Sequence, residues 1–87
     1  SSAASDVYKR QILMCMDCPL VKAQEIAEHI REIVEHMSIE FEEHHIAVTM
    51  SFGVYQLDGD QTMDQNVKQA DERLYQAKTT GRNRVVV

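Results

Sequence analysis

The sequence predicts an α/β fold, an α+β sandwich with helices layered on one sheet in the order β-α-β-α-β. Three observations carry this. Apolar residues recur at three- and four-residue intervals between Leu20 and Met37, the stripe of an amphipathic helix. Between Ile46 and Tyr55 they alternate with a period of two, the signature of a strand. Thr62 with Gln65 three residues on, and Gly81 further along, bracket a second helix ahead of a closing apolar run.

Residues 12–16, Ile-Leu-Met-Cys-Met, are wholly apolar and read as a strand covered on both faces. Asp17-Cys18-Pro19 punctuates it, with Pro19 expected at the first helical position and Asp17 or Cys18 as the cap. Leu20, Ala23, Ile26, Ala27, Ile30, Ile33, Val34 and Met37 form the first helix's apolar stripe, and Glu25, Glu28, Glu32 and Glu35 fall largely off it. Residues 40–45 read as a charged connection. In the strand that follows, Ala47, Thr49, Ser51 and Gly53 line a second face small enough for a helix or backbone to approach closely. Asp58-Gly59-Asp60 is a turn, and Val67, Ala70, Leu74 and Ala77 make the apolar side of the second helix. Residues 84–87 are the last strand.

Residues 1–11, SSAASDVYKRQ, resemble a translated sequencing-library adapter carrying a transposon end, so they are expected to be a non-native leader to a domain spanning 12–87; a disordered native terminus is the alternative. Without Asp6, Lys9 and Arg10 of that leader, the nine basic and fourteen acidic residues of the chain become seven and thirteen. The acidic residues all lie between Asp17 and Glu72, whereas Arg73, Lys78, Arg82 and Arg84 follow with none among them. An acidic body argues against a protein that coats nucleic acid, and a small basic end suits a compact anion such as a triphosphate. No apolar run reaches the roughly 18 residues of a membrane span, so no membrane contact is expected of this segment.

Cys15 and Cys18 form a single C-x-x-C with no second pair, and adjacent His44 and His45 do not complete a zinc site. Buried, reduced thiols are the simpler expectation. The five Met residues fall at core spacing and read as packing, His29 and His36 as surface residues, and Tyr75 as a core aromatic. Lys78 and Arg82 are four apart, which a last helical turn would place on one side of the Gly81 cap. There they could pair with triphosphate oxygens through charge-assisted hydrogen bonds, or simply stabilise the helix end.

Three stretches resemble one family. VTMSFGV (48–54) resembles the S-x-G strand of GGDEF domains, ADERLYQAK (70–78) their A-D-x-x-L-Y-x-A-K helix, and GRNRVVV (81–87) their G-R-N-x-V finish. AQEIAEHIREIVE (23–35) looks like the family's A-x-x-I-A-x-x-I-R helix, a more generic match. The chain thus resembles the C-terminal portion of a diguanylate cyclase domain, with a truncated nucleotidyl-cyclase, ferredoxin-like fold.

That resemblance implies a bacterial signalling enzyme that condenses two GTP into cyclic di-GMP, with magnesium, across a homodimer of facing domains. It implies a cytoplasmic location, with tethering to the inner membrane through upstream segments left open. Lys78 and Arg82 match the family's basic pair, which contacts the nucleotide phosphates. The metal-binding aspartate, the guanine-recognising residues and the GG(D/E)EF hairpin itself would precede Ile12, so no catalytic or metal-binding residue is expected here and the segment alone should be inactive. Asp71 would orient Lys78 or Arg82 rather than hold a metal, and Asn83 and Arg84 would tie the final turn to the sheet. Asn66 departs from the family's pattern, where an apolar residue packs the helix start. Two other readings stay open: a degenerate GGDEF domain acting as a GTP-sensing or dimerisation module, and an unrelated ferredoxin-like interaction module.

Overall fold

The computed structural model describes residues 11–87. Two helices and four short strands follow in the order α1 (Leu20–Glu35), β1 (Ile39–Phe41), β2 (His44–Ile46), β3 (Phe52–Gly53), α2 (Met63–Thr79) and β4 (Val85–Val86). The leader reading falls outside the described residues, Gln11 apart.

β3 and β4 pair in parallel, Phe52 with Val85 and Gly53 with Val86, and α2 crosses between them to make a β-α-β unit. The Phe52 and Val54 N–H groups donate to the Arg84 and Val86 carbonyls, each at 2.9 Å. α2 packs on both strands and α1 on β4. The buried centre is made of small residues where these elements meet, Ala77 with no exposed surface and Ala27 at 6%. Gly53 sets the closest approach. A Cβ there would overlap the Ala70 carbonyl oxygen and the Leu74 nitrogen and stand 2.9 Å from the Arg73 carbonyl carbon.

Local signals held best at α2. Thr62 Oγ1 accepts the Gln65 N–H at 3.1 Å while the Thr62 N–H donates to Gln65 Oε1 at 2.8 Å, a closed capping box. In the preceding turn the Gln61 N–H reaches the Asp58 carbonyl at 3.1 Å, and the Asp60 N–H reaches Asp58 Oδ1 at 2.9 Å. Asn66, only 5% exposed, fills the place expected of an apolar residue by hydrogen bonding instead. Its Nδ2 donates to the Thr62 and Asp58 carbonyls, and its Oδ1 accepts the Asp58 N–H. α1 begins one residue later than expected. Pro19 is its N-cap, in extended geometry, with its carbonyl accepting the Lys22 and Ala23 N–H groups.

Four expectations are corrected. Residues 12–16 form no strand, and Ile12, Leu13, Met14 and Met16 are exposed. A strand exists only where another offers ladder partners, and no described strand lies beside this run. Of the long strand expected over 46–55, only Ile46, in β2, and Phe52–Gly53, in β3, are strand. The charged connection is a hairpin instead: β1 and β2 pair antiparallel around Glu42 and Glu43, both at positive φ (50° and 68°). Side chains expected in the core also stand outside it. Tyr75 is 67% exposed, all five Met residues are exposed, and so are Ile26 and Ile33 of the α1 stripe. The stripe is wider than the β4 surface that covers it.

Candidate functional site

Basic residues gather where α2 ends. Thr80 caps the helix, and three carbonyls near its end accept hydrogen bonds from the residues that close it. Thr79 Oγ1 donates to the Tyr75 carbonyl at 2.9 Å, Thr80 Oγ1 to that of Gln76 at 2.6 Å, and the Arg82 N–H to that of Ala77 at 2.9 Å. Lys78 lies half-buried in the last helical turn, favoured there by the helix dipole. The chain then passes through three successive positive-φ residues, Gly81 at 127°, Arg82 at 59° and Asn83 at 46°. Glycine adopts this region freely and asparagine tolerates it, but for arginine it costs about 1–2 kcal/mol. Contacts from outside the turn help to hold it.

Those contacts come from two directions. The Asn83 N–H donates to Ser51 Oγ at 3.1 Å, just ahead of β3. The Asn83 side chain faces α1, where Arg31 donates to Asn83 Oδ1 at 3.0 Å, to Glu28 at 2.7 Å and to Glu35 at 2.7 Å. The Arg31 side chain is 15% exposed. Its hydrogen bonds to Glu28 and then Glu35 hold its proton more tightly than usual. The Glu35 carboxyl is held below the usual carboxylate range, first by Arg31 and then by the Asn83 side chain. Arg84 folds back on the same turn, its Nε donating to the Arg82 carbonyl at 3.1 Å and its guanidinium filling the space beside Gly81.

The structure thus carries Lys78 and Arg82 on one α2–β4 junction, though not on one helical turn. Arg82 lies two residues past the cap, and its side chain is exposed, with no hydrogen bond among the described residues. The expected tie of Asn83 and Arg84 to the sheet is made only in part: the Asn83 main chain reaches Ser51 just ahead of β3, but its side chain reaches α1 and the Arg84 side chain bonds within the turn. Asp71 is exposed on α2. Arg73 is engaged elsewhere, its guanidinium 4.7 Å above the Tyr55 ring and bonded to Gln69. Sequence reasoning missed Arg31 and Ser51 as partners of the turn. The signal was present only as letters in two matching motifs, I-R and S-x-G.

Among the described residues no three His, Cys, Asp or Glu side chains come together as a metal site. Cys15 is exposed and Cys18 half-buried, so the thiols are not the buried pair expected. Contact with Cys15, and then partial burial, pushes the Cys18 thiol up.

Residues 10–84 match the family model described as diguanylate cyclase, GGDEF domain. Diguanylate cyclase A of Treponema denticola is 38% identical over 77 residues, 87% of this chain and 21% of that protein. Diguanylate cyclase DgcM of Escherichia coli K12 is 37% identical over 75 residues, 86% of this chain and 18% of the relative, and its O157:H7 counterpart matches equally. The chain spans about a fifth of the length of these relatives.

Proposed function

Because this chain belongs to the diguanylate cyclase GGDEF domain family, we propose that it is the C-terminal, phosphate-binding portion of a domain that condenses two GTP into cyclic di-GMP. Residues 12–87 are the domain portion in this reading, and residues 1–11 a leader foreign to it. The observation that carries it is the α2–β4 turn. Arg82 is exposed, its backbone held in a conformation arginine resists, four residues past Lys78 in a stretch with no Asp or Glu after Glu72.

In the proposed reaction a 3′-hydroxyl oxygen of one GTP bonds to the α-phosphorus of another, and the bond to pyrophosphate breaks. Negative charge grows on the departing phosphates. Lys78 and Arg82 would meet it with charge-assisted hydrogen bonds, each of which is worth more where water is excluded. The family resemblance implies magnesium, but the described residues do not fit such an ion, so no step is assigned to a metal here. The proposed setting is the cytoplasm, with GTP as the substrate and a second copy of the domain as the partner. Among the described residues no helix is long and apolar enough to cross a membrane.

The test is GTP binding and turnover in the whole protein carrying this segment, compared with Lys78→Ala and Arg82→Ala. Each variant should lose roughly 1.5–3 kcal/mol of binding or transition-state stabilisation. Arg82→Lys should also lose activity if the guanidinium grips two oxygens at once. Binding without turnover in the parent would favour the GTP-sensing alternative. Unchanged behaviour of both alanine variants would return the pair to helix-end stabilisation.

A further inference from the structure

We propose that Arg31, far from Lys78 and Arg82 in sequence, is a positioning residue for the phosphate-binding turn, acting through the Asn83 side chain; this rests on the function proposed above. Arg82 and Asn83 both sit at positive φ, and beside the Arg82 N–H to Ala77 and Arg84 to Arg82 bonds near the turn, two anchors reach it from elsewhere in the fold. One anchor is a main-chain bond, from the Asn83 N–H to Ser51. The other is made by side chains and crosses from α1. Arg31 reaches Asn83 Oδ1 at 3.0 Å from a side chain that Glu28 and Glu35 hold at 2.7 Å each.

Arg31 is therefore aimed before the turn arrives. A guanidinium has a rigid fork of donors and can serve three acceptors at once, which an ammonium on a flexible stem cannot do in one geometry. Glu35 closes the arrangement from α1, because the Arg31 nitrogen that donates to Asn83 Oδ1 also donates to the Glu35 carboxylate. The Asn83 amide oxygen is thus held by a guanidinium that two carboxylates already fix. That fixes the amide's orientation, and with it the residue that follows Arg82. Losing the grip would free Arg82 to sample ordinary backbone conformations, in which its guanidinium points elsewhere. A first ligand-induced ordering step would then oppose binding.

The experiment is a double-mutant cycle in the whole protein carrying this segment. Arg31→Ala, Asn83→Ala and the double variant are titrated with GTP and with tripolyphosphate, which has no base or sugar. Thermal melts by circular dichroism establish that each variant is folded at the titration temperature; where Arg31→Ala does not fold, Arg31→Lys takes its place. Each single variant is expected to weaken both ligands roughly tenfold, and the double variant no more than either, because both remove one shared contact. A merely structural Arg31 would lower the melting temperature yet leave the affinity of the folded protein within about twofold. That outcome, or single effects that multiply in the double variant, overturns the proposal. Arg82→Ala separates the two levels. If it weakens tripolyphosphate binding while Arg31→Ala does not, the phosphate site stands and the positioning role falls; if Arg82→Ala has no effect, both fall.

Discussion

Asn66 grips the Asp58 main chain at both of its ends: Oδ1 accepts the Asp58 N–H at 2.8 Å and Nδ2 donates to the Asp58 carbonyl at 3.1 Å. The same Nδ2 takes the Thr62 carbonyl at 2.9 Å, so one buried amide joins the 58–61 turn to the first turn of α2. Replacing Asn66 with Leu would place an apolar residue there and leave the Asp58 N–H without its partner, while the Asp58 and Thr62 carbonyls would keep only the Gln61 and residue-66 main-chain N–H groups. Asn66→Leu is expected to destabilise by about 1–3 kcal/mol, although it adds apolar surface to a buried position. Chemical denaturation of the two proteins measures it, and a more stable Leu variant would refute the account.

Gly53→Ala should be more damaging than its single methyl group implies. The added Cβ would meet main-chain atoms of Ala70, Arg73 and Leu74, and a helix backbone cannot swing aside as a side chain can. Moving α2 off β3 opens the packing around Ala77. The expected cost is at least the roughly 1–3 kcal/mol of ordinary overpacking, read as a lower melting temperature. Gly59→Ala is the control, because nothing lies within 4 Å of a Cβ there.

Acid should loosen the α1 contact with the turn. The Glu35 pKa is lowered in the folded protein by Arg31 and Asn83, so its contribution to stability is complete above the unfolded carboxylate value, about 4.3. It is lost as the pH falls further, through the lower folded value. Arg31, whose pKa is raised from an already high value, adds no dependence in the accessible range. Melting temperatures measured from pH 7 down to pH 3 should fall less steeply in Glu35→Gln than in the parent. Parallel curves would show that the ion pair is not felt in the folding equilibrium.

The 87-residue chain itself is expected to self-associate and to make no cyclic di-GMP. Ile12, Leu13, Met14 and Met16 stand exposed, as do Val21, Ile26 and Ile33 of α1 and Met37 just after it, more apolar surface than a small soluble monomer usually leaves open. Sedimentation velocity should show mass rising with concentration. Under the function proposed above, the metal and guanine contacts lie outside residues 12–87, so chromatographic assay of the chain with GTP and magnesium should show no product. A concentration-independent monomer, or measurable turnover, would contradict these two expectations respectively.

What the sequence determined by itself about this protein is its local structure and its kinship. The capping box at Thr62 and Gln65, the glycine after the α2 cap and the helical period of the α1 stripe each depend on residues within a turn of one another, so neighbours in the chain suffice to specify them. The S-x-G, Y-x-A-K and G-R-N matches point to the family for the same reason, being short and contiguous. Tertiary structure decided the rest. Period-two alternation over 46–55 was legible, but which of those residues are strand depended on β4, some thirty residues away, and residues 12–16 found no such partner. The hairpin at Glu42 and Glu43 was hidden because its turn lacks the Gly or Asn that positive φ normally selects. Arg31 and Asn83 lie 52 residues apart, and no spacing rule joins them. Only the packing of α1 on β4 brings an arginine with two carboxylates already in place to the turn that needs holding.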